Sequence, residues 1–112
     1  MPNTPRKLRV LTPPMASNMQ EKVTEAATLL RAIANETRLK ILCRLIERRE
    51  ANVGSLVEAC GLSQSALSQH LGRLRDEGLV VARRDGQIVW YRIGNPYVRR
   101  IIAVLHDIYC TD

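Results

Sequence analysis

Three cysteines, Cys43, Cys60 and Cys110, are the side chains best suited to covalent chemistry in this sequence of 112 residues. On helical wheels they separate. Cys60 continues the stripe Val53, Leu56, Val57 and reads as a small core residue. Cys43 falls between the apolar arc of Leu39, Leu42 and Ile46 and the charged arc of Lys40, Arg44 and Glu47, which predicts a half-accessible thiol. Packing as a small buried hydrophobe is the alternative there. Cys110 lies with Arg99, Ala103 and His106, opposite the arc of Tyr97, Ile101, Val104, Leu105 and Ile108. A cysteine outside the core is a poor packing choice, so reactivity is the better explanation. A helix C-terminus disfavours its thiolate, whereas a nearby Arg or protonated His favours it.

A second group of residues suits recognition instead of covalent change. In the segment from Gln64 to about Glu77, Ala66, Leu67, Leu71 and Leu74 fall on one side at 100 degrees per residue. Gln64, Ser65, Ser68, Gln69 and Arg73 fall on the other. Ser and Gln are mediocre helix formers for a merely solvated face, but they suit a face that enters a major groove. Ser bonds donors or acceptors, and Gln pairs bidentately with adenine. Gly72 shares this face and has no side chain to hold the helix off a backbone. His70 projects on the leucine side and is expected to pack with a satisfied hydrogen bond. Further on, "RRDGQ" places Arg83, Arg84 and Gln87 around a tight turn, where arginine suits phosphate or a narrow minor groove.

The elements that must position these residues follow from caps and periodicity. Val23, Ala26, Ala27, Leu30, Ile33 and Ala34 form the stripe of a first helix from Met19 to about Asn35. Asn35 caps a second helix, "ETRLKILCRLIERR", with Leu39, Leu42, Leu45 and Ile46 as its apolar positions. Asn52 caps a short third helix that stops at Gly61, and Ser63 caps the fourth, which stops at Gly78. Strands from Leu79 to Arg84 and from Gln87 to Ile93 join through Asp85-Gly86, a strong hairpin signal. A last helix runs from about Asn95 to Cys110. Two helices joined by "CGLS", the second polar on one side, followed by a hairpin, make a mostly α winged helix-turn-helix. Residues 1–18 hold four of the five prolines and are expected to be a disordered arm, leaving 19–112 as one DNA-binding and dimerisation domain.

Composition agrees with this reading. A net charge of +6 suggests a polyanionic partner, usually nucleic acid. One Trp, three Tyr and no Phe make a small core that a partner subunit can complete. No apolar run approaches the roughly 20 residues of a membrane helix, and the start lacks a signal-peptide core, so a cytoplasmic location is expected. An odd cysteine number in a reducing compartment argues against a disulfide framework. No Gly-rich phosphate loop, metalloprotease motif or oxyanion site accompanies the cysteines, so the chain is not expected to be an enzyme, and no cofactor is expected.

The segments "ANETRLKILCRL", "GLSQSALSQHLGRLRDEGLV" and "RRDGQIVWYRI" resemble the ArsR/SmtB family of bacterial winged-helix repressors, over about residues 20–110. The resemblance implies a homodimer built through the first and last helices. It also implies double-stranded operator DNA as partner, on an imperfect palindrome, with an inducer that releases it. A cysteine in "KILCRL" together with one in "HDIYC" is similar to the SqrR/BigR branch, which includes HlyU-like proteins. That narrower resemblance implies reactive sulfur species as inducer and Cys43 and Cys110 as the sensing pair, bridged by a polysulfide within one subunit. Cys60 has no required role in that pattern.

Two other inputs remain open. Metal-sensing members of the family carry a Cys-x-Cys cluster on the third helix or Asp/His/Glu ligands on the last. Here the third helix has one cysteine, and His106 and Cys110, four apart, offer two ligands where a closed zinc site takes about four. No metal site is therefore assigned. A general redox input, peroxide giving a plain disulfide, is the other. An HlyU-like member can also act by relieving silencing instead of by repressing.

Overall fold

The computed structural model describes residues 18–110. The arm expected over residues 1–18 lies, apart from Asn18, outside the described residues. Five helices and one hairpin follow in order: α1 (Met19–Ile33), α2 (Glu36–Arg48), α3 (Val53–Cys60), α4 (Gln64–Asp76), β1 (Val80–Asp85), β2 (Ile88–Ile93) and α5 (Pro96–Tyr109). This is the winged helix-turn-helix expected from the sequence.

Each helix start has a chemical cause. The side chains of Asn18, Asn35, Asn52, Ser63 and Asn95 accept hydrogen bonds from backbone N–H groups of the first turns, satisfying donors that no helical carbonyl reaches. Pro96 opens α5, where its missing N–H leaves no helical bond unmade. Gly61 ends α3 in the left-handed region, at φ 68°, and lets the chain turn directly into α4.

The core is aliphatic. Ile41, Leu42 and Leu45 of α2 meet Leu56 of α3, Leu67, Leu71 and Leu74 of α4, Leu79 and Val80 at the wing's root, and Val98 and Ile102 of α5, all essentially sealed from solvent. Burying each such side chain contributes about 1.5–3 kcal/mol. Those three leucines fix the rotation of α4, so its opposite face points outward.

Three expectations are corrected. The apolar stripe read on α1 is divided: Val23 and Leu30 are exposed, whereas Ile33 packs inward together with Leu29 and Ala32 from outside the stripe. On α5 the core face is Val98 and Ile102, while Tyr97, Val104 and Ile108 of the predicted apolar arc are exposed. The wing slips by one residue. Asp85 pairs with Ile88, so Gly86 and Gln87 form the two-residue loop, with φ 65° at Gly86. Glycine at the first loop position supplies the positive φ such hairpins require.

Two ties hold the wing and α4 to α2. Arg38 at the start of α2 grips Glu77 beyond the end of α4 with two hydrogen bonds, of 3.1 and 2.6 Å, and also donates to the Ala32 carbonyl. At the other end of α2, Arg49 adopts φ 65° and turns the chain so that Ala51 pairs with Tyr91 of β2 through two backbone hydrogen bonds. No described helix is long and apolar enough to cross a membrane.

Candidate nucleic-acid interface and cysteine pair

The α4–wing surface holds every residue selected for recognition. Gln64, Ser65, Ser68, Gln69 and Arg73 are all exposed on α4, and Arg83, Arg84 and Gln87 are exposed on the wing. Gly72 lies among them in mid-helix, and a Cβ built there would meet nothing within 4 Å. Its φ lies outside the left-handed region as well, so neither the turn of the chain nor internal packing requires glycine. A mid-helix glycine costs about 1 kcal/mol relative to alanine. His70, expected to pack, is half-buried.

Arg83 differs from the other wing cations. Its Nε and Nη2 donate to Glu50 at 2.8 Å each, and its guanidinium sits 5.9 Å from the centre of the Trp90 ring. The Arg83 guanidinium holds the Glu50 carboxyl below the usual carboxylate range. Arg83 therefore braces the wing against the α2–α3 link. Pairing this distant in sequence carried no local signal.

The cysteines sort as the wheels predicted: Cys60 is buried, Cys43 intermediate and Cys110 exposed. Packing of α5 on α2 then places Cys110, at the C-terminal cap of α5, near enough to Cys43 to disfavour its thiolate. Burial, the neighbouring Cys110 sulfur and the Glu47 carboxylate all push the Cys43 thiol up. Burial likewise raises the Cys60 thiol, against the opposing charges of Lys40 and Arg44.

The surroundings of the pair were missed in the sequence. Glu47 lies one turn beyond Cys43 on α2 and accepts from Arg44 Nη1 at 3.1 Å. His106, one turn before Cys110, bonds the other Glu47 oxygen at 2.9 Å. Bonds from His106 and Arg44 hold the Glu47 carboxyl below its ordinary value. His106 is thus engaged by α2, and among the described residues no group of three or more His, Cys, Asp and Glu side chains is placed to hold a metal ion. A cavity of about 230 Å³ opens beside the pair, lined by Lys40, Cys43, Arg44, Glu47 and Ala59. The arrangement suits thiol chemistry: two neighbouring thiols, one exposed and one shielded, one on α2 and one at the end of α5.

Comparison with known proteins agrees with the fold. Residues 35–81 match the family described as bacterial regulatory protein, arsR family. The chain is 47% identical over 92 residues to the transcriptional activator HlyU of Vibrio cholerae, covering 82% of this chain and 84% of that protein. The structure of reduced HlyU from Vibrio cholerae superimposes with a TM-score of 0.76 at 46% identity, covering 83% of this chain and 97% of that one. The transcriptional repressor BigR from Xylella fastidiosa does so with a TM-score of 0.73 at 34% identity, covering 84% and 95%.

Proposed function

The chain belongs to the ArsR family of bacterial transcriptional regulators, and we propose that it binds operator DNA as a homodimer and releases it when Cys43 and Cys110 react with persulfide. The single observation that carries this reading is the proximity of two cysteines on different elements, Cys43 on α2 and Cys110 at the C-terminal cap of α5.

In the reduced state the exposed face of α4 enters a major groove. Gln64, Ser65, Ser68 and Gln69 meet base edges, Arg73, Arg84 and Gln87 meet the backbone, and Arg83 contributes through the wing it braces. The exposed apolar residues Val23 and Leu30 of α1, with Val104 and Ile108 of α5, supply the surface that a second copy covers. A two-fold dimer presents its two α4 helices to half-sites about 34 Å apart.

The chemistry balances without an outside oxidant. The exposed Cys110 sulfur attacks the outer sulfur of a persulfide, RSSH; the donor S–S bond breaks and RSH leaves. A second donor converts Cys43 in the same way. The two cysteine persulfides then condense: one S–S bond forms, another breaks, and hydrogen sulfide leaves from a trisulfide joining Cys43 to Cys110. Both cysteines are oxidised and the departing sulfur is reduced to sulfide. An inserted sulfur spans more than a direct disulfide, whose Cα atoms lie within about 7 Å. The bridge fixes α2 to the dimerisation helix and biases the dimer away from the half-site spacing.

Intact mass measurement of the reduced protein after persulfide treatment, with peptides mapped and DNA binding followed in parallel, tests this. A mass gain of whole sulfur atoms linking Cys43 to Cys110, together with loss of DNA binding, is the expected result. Unmodified thiols, or a plain disulfide with peroxide and no reaction with persulfide, would overturn the sulfur reading and leave the DNA-binding reading intact. A regulator that activates by relieving silencing uses the same DNA contacts and differs only in promoter readout; the Vibrio cholerae relative carries the name transcriptional activator.

A further inference from the structure

We propose that the cavity between α2 and α3 is an anion-docking subsite that delivers a small anionic sulfane-sulfur donor to Cys43; this rests on the sulfur-sensing reading above. Positions 40, 43, 44 and 47 recur at helical spacing and form one ridge of α2, so Lys40 and Arg44 flank the Cys43 thiol on the cavity wall. Ala59 on α3 closes the other side with a side chain too small to fill the space.

Three observations point to an anion. Arg44 lines the cavity, and its Nε is a buried donor with no hydrogen-bond partner among the described residues. Buried donors are ordinarily paired, and this one is shut off from the cavity as the side chain lies, so an acceptor in the cavity reaches it once the Arg44 side chain turns. The acidic residue of the cavity, Glu47, has its two oxygens engaged by Arg44 Nη1 and His106 Nε2. The charges of Lys40 and Arg44 also reach the adjoining Cys60 sulfur, so positive potential extends into the α2–α3 seam.

Size narrows the ligand. At about 30 Å³ per water, the volume of about 230 Å³ holds only several waters. Pockets for drug-sized molecules start at about 300 Å³. An inorganic hydrogen disulfide ion, HSS⁻, fits on both size and charge. Its reaction balances: Cys43 sulfur bonds one donor sulfur, the donor S–S bond breaks, hydrosulfide leaves with the electron pair, and the thiol proton ends on the new persulfide. Lys40 and Arg44 outnumber the Glu47 carboxylate, which raises the Cys43 thiol, and leave the cavity wall with a net positive charge to hold this donor. Hydrogen peroxide, which is neutral, gains nothing from them, and the subsite therefore favours sulfur donors over peroxide.

Two alkylating agents of nearly equal size and different charge test the subsite without sulfur chemistry. Rates of Cys43 labelling by anionic iodoacetate and neutral iodoacetamide are measured on the full chain by peptide mass, for wild type, Lys40→Gln, Arg44→Gln and the double variant. The iodoacetate-to-iodoacetamide ratio is expected to fall about tenfold in the double variant, and to fall in wild type as salt is raised. Lys40 is exposed, so Lys40→Gln keeps the test open if Arg44→Gln does not fold. A ratio unchanged by Lys40→Gln and by salt would overturn the subsite. In a separate arm, sodium disulfide is added to wild type. Failure to form any sulfur-containing bridge there overturns the sensing reading, whatever the labelling ratio shows.

Discussion

The α4–wing surface and the cysteine pair are built in opposite ways. The first is local: its residues fall within one continuous stretch, α4 through β2, and each side chain reaches solvent by the periodicity of its own element. The second is assembled: Cys43 and Cys110 meet only because Val98 and Ile102 dock α5 against the α2 core. Local surfaces tolerate change one residue at a time, whereas an assembled pair fails when either helix loses its place. The two regions should therefore separate cleanly under mutation, and six measurements can break or sharpen that separation.

The largest effect is expected from Cys43→Ser. Release of operator DNA by persulfide should disappear altogether, with DNA affinity of the reduced protein unchanged; a retained full response would end the two-cysteine mechanism. Next, Gln69→Ala combined with Arg73→Ala should weaken specific DNA binding by roughly 10- to 100-fold, since one good base contact alone discriminates by about 1–3 kcal/mol. Sulfur uptake by the cysteines should not change in that variant. Mass measurement and DNA titration on the same sample compare the two.

Gly72→Ala gives opposite signs in two assays. Denaturant unfolding should show up to about 1 kcal/mol of added stability, while DNA affinity drops by about tenfold as the new methyl meets the DNA backbone. Equal affinity would show that the open space at Gly72 stays open in the complex. On the wing, Arg84→Gln should lower the slope of log affinity against log salt by about one, as expected for one lost phosphate contact. Arg83→Gln should act chiefly by loosening the wing from Glu50, seen as faster hydrogen exchange in β1 and β2.

The smallest effect is in pH. Because burial, Cys110 and Glu47 raise the Cys43 thiol, iodoacetamide labelling of Cys43 should reach its midpoint above the ordinary cysteine value. Cys110→Ala should move that midpoint down. The sign for stability follows: the unfolded thiol ionises first as pH rises, so the contribution of Cys43 is present below the unfolded value and lost as pH climbs through the folded one. A midpoint at or below the ordinary value would contradict the shielded geometry.

The same contrast explains what could be read in the chain. Asn35, Asn52 and Ser63 announce their helices because capping is a matter of a few adjacent atoms. The outward face of α4 was legible because exposure follows the period of its own helix. Periodicity found the apolar stripe of Val23 and Leu30 without saying what covers it. On α5 apolar residues lie on both flanks, so the wheel alone did not show that Val98 and Ile102 face inward. The wing slipped by one position because Asp85-Gly86 and Gly86-Gln87 both place glycine in the turn. The bonds Arg38–Glu77, Arg83–Glu50 and Glu47–His106 join residues far apart in sequence, and no local pattern encodes them. The pairing of Cys43 with Cys110 was reached through resemblance alone.

The double attachment of α2 has a kinetic consequence. Its first turn holds Glu77 beyond α4, and the residue three positions past its last turn is stitched to β2. A displacement of α2 therefore reaches the groove-reading helix and the wing at the same moment. Operator release driven through this helix should proceed in a single phase, with no half-released complex in which the wing still clings to DNA that α4 has left.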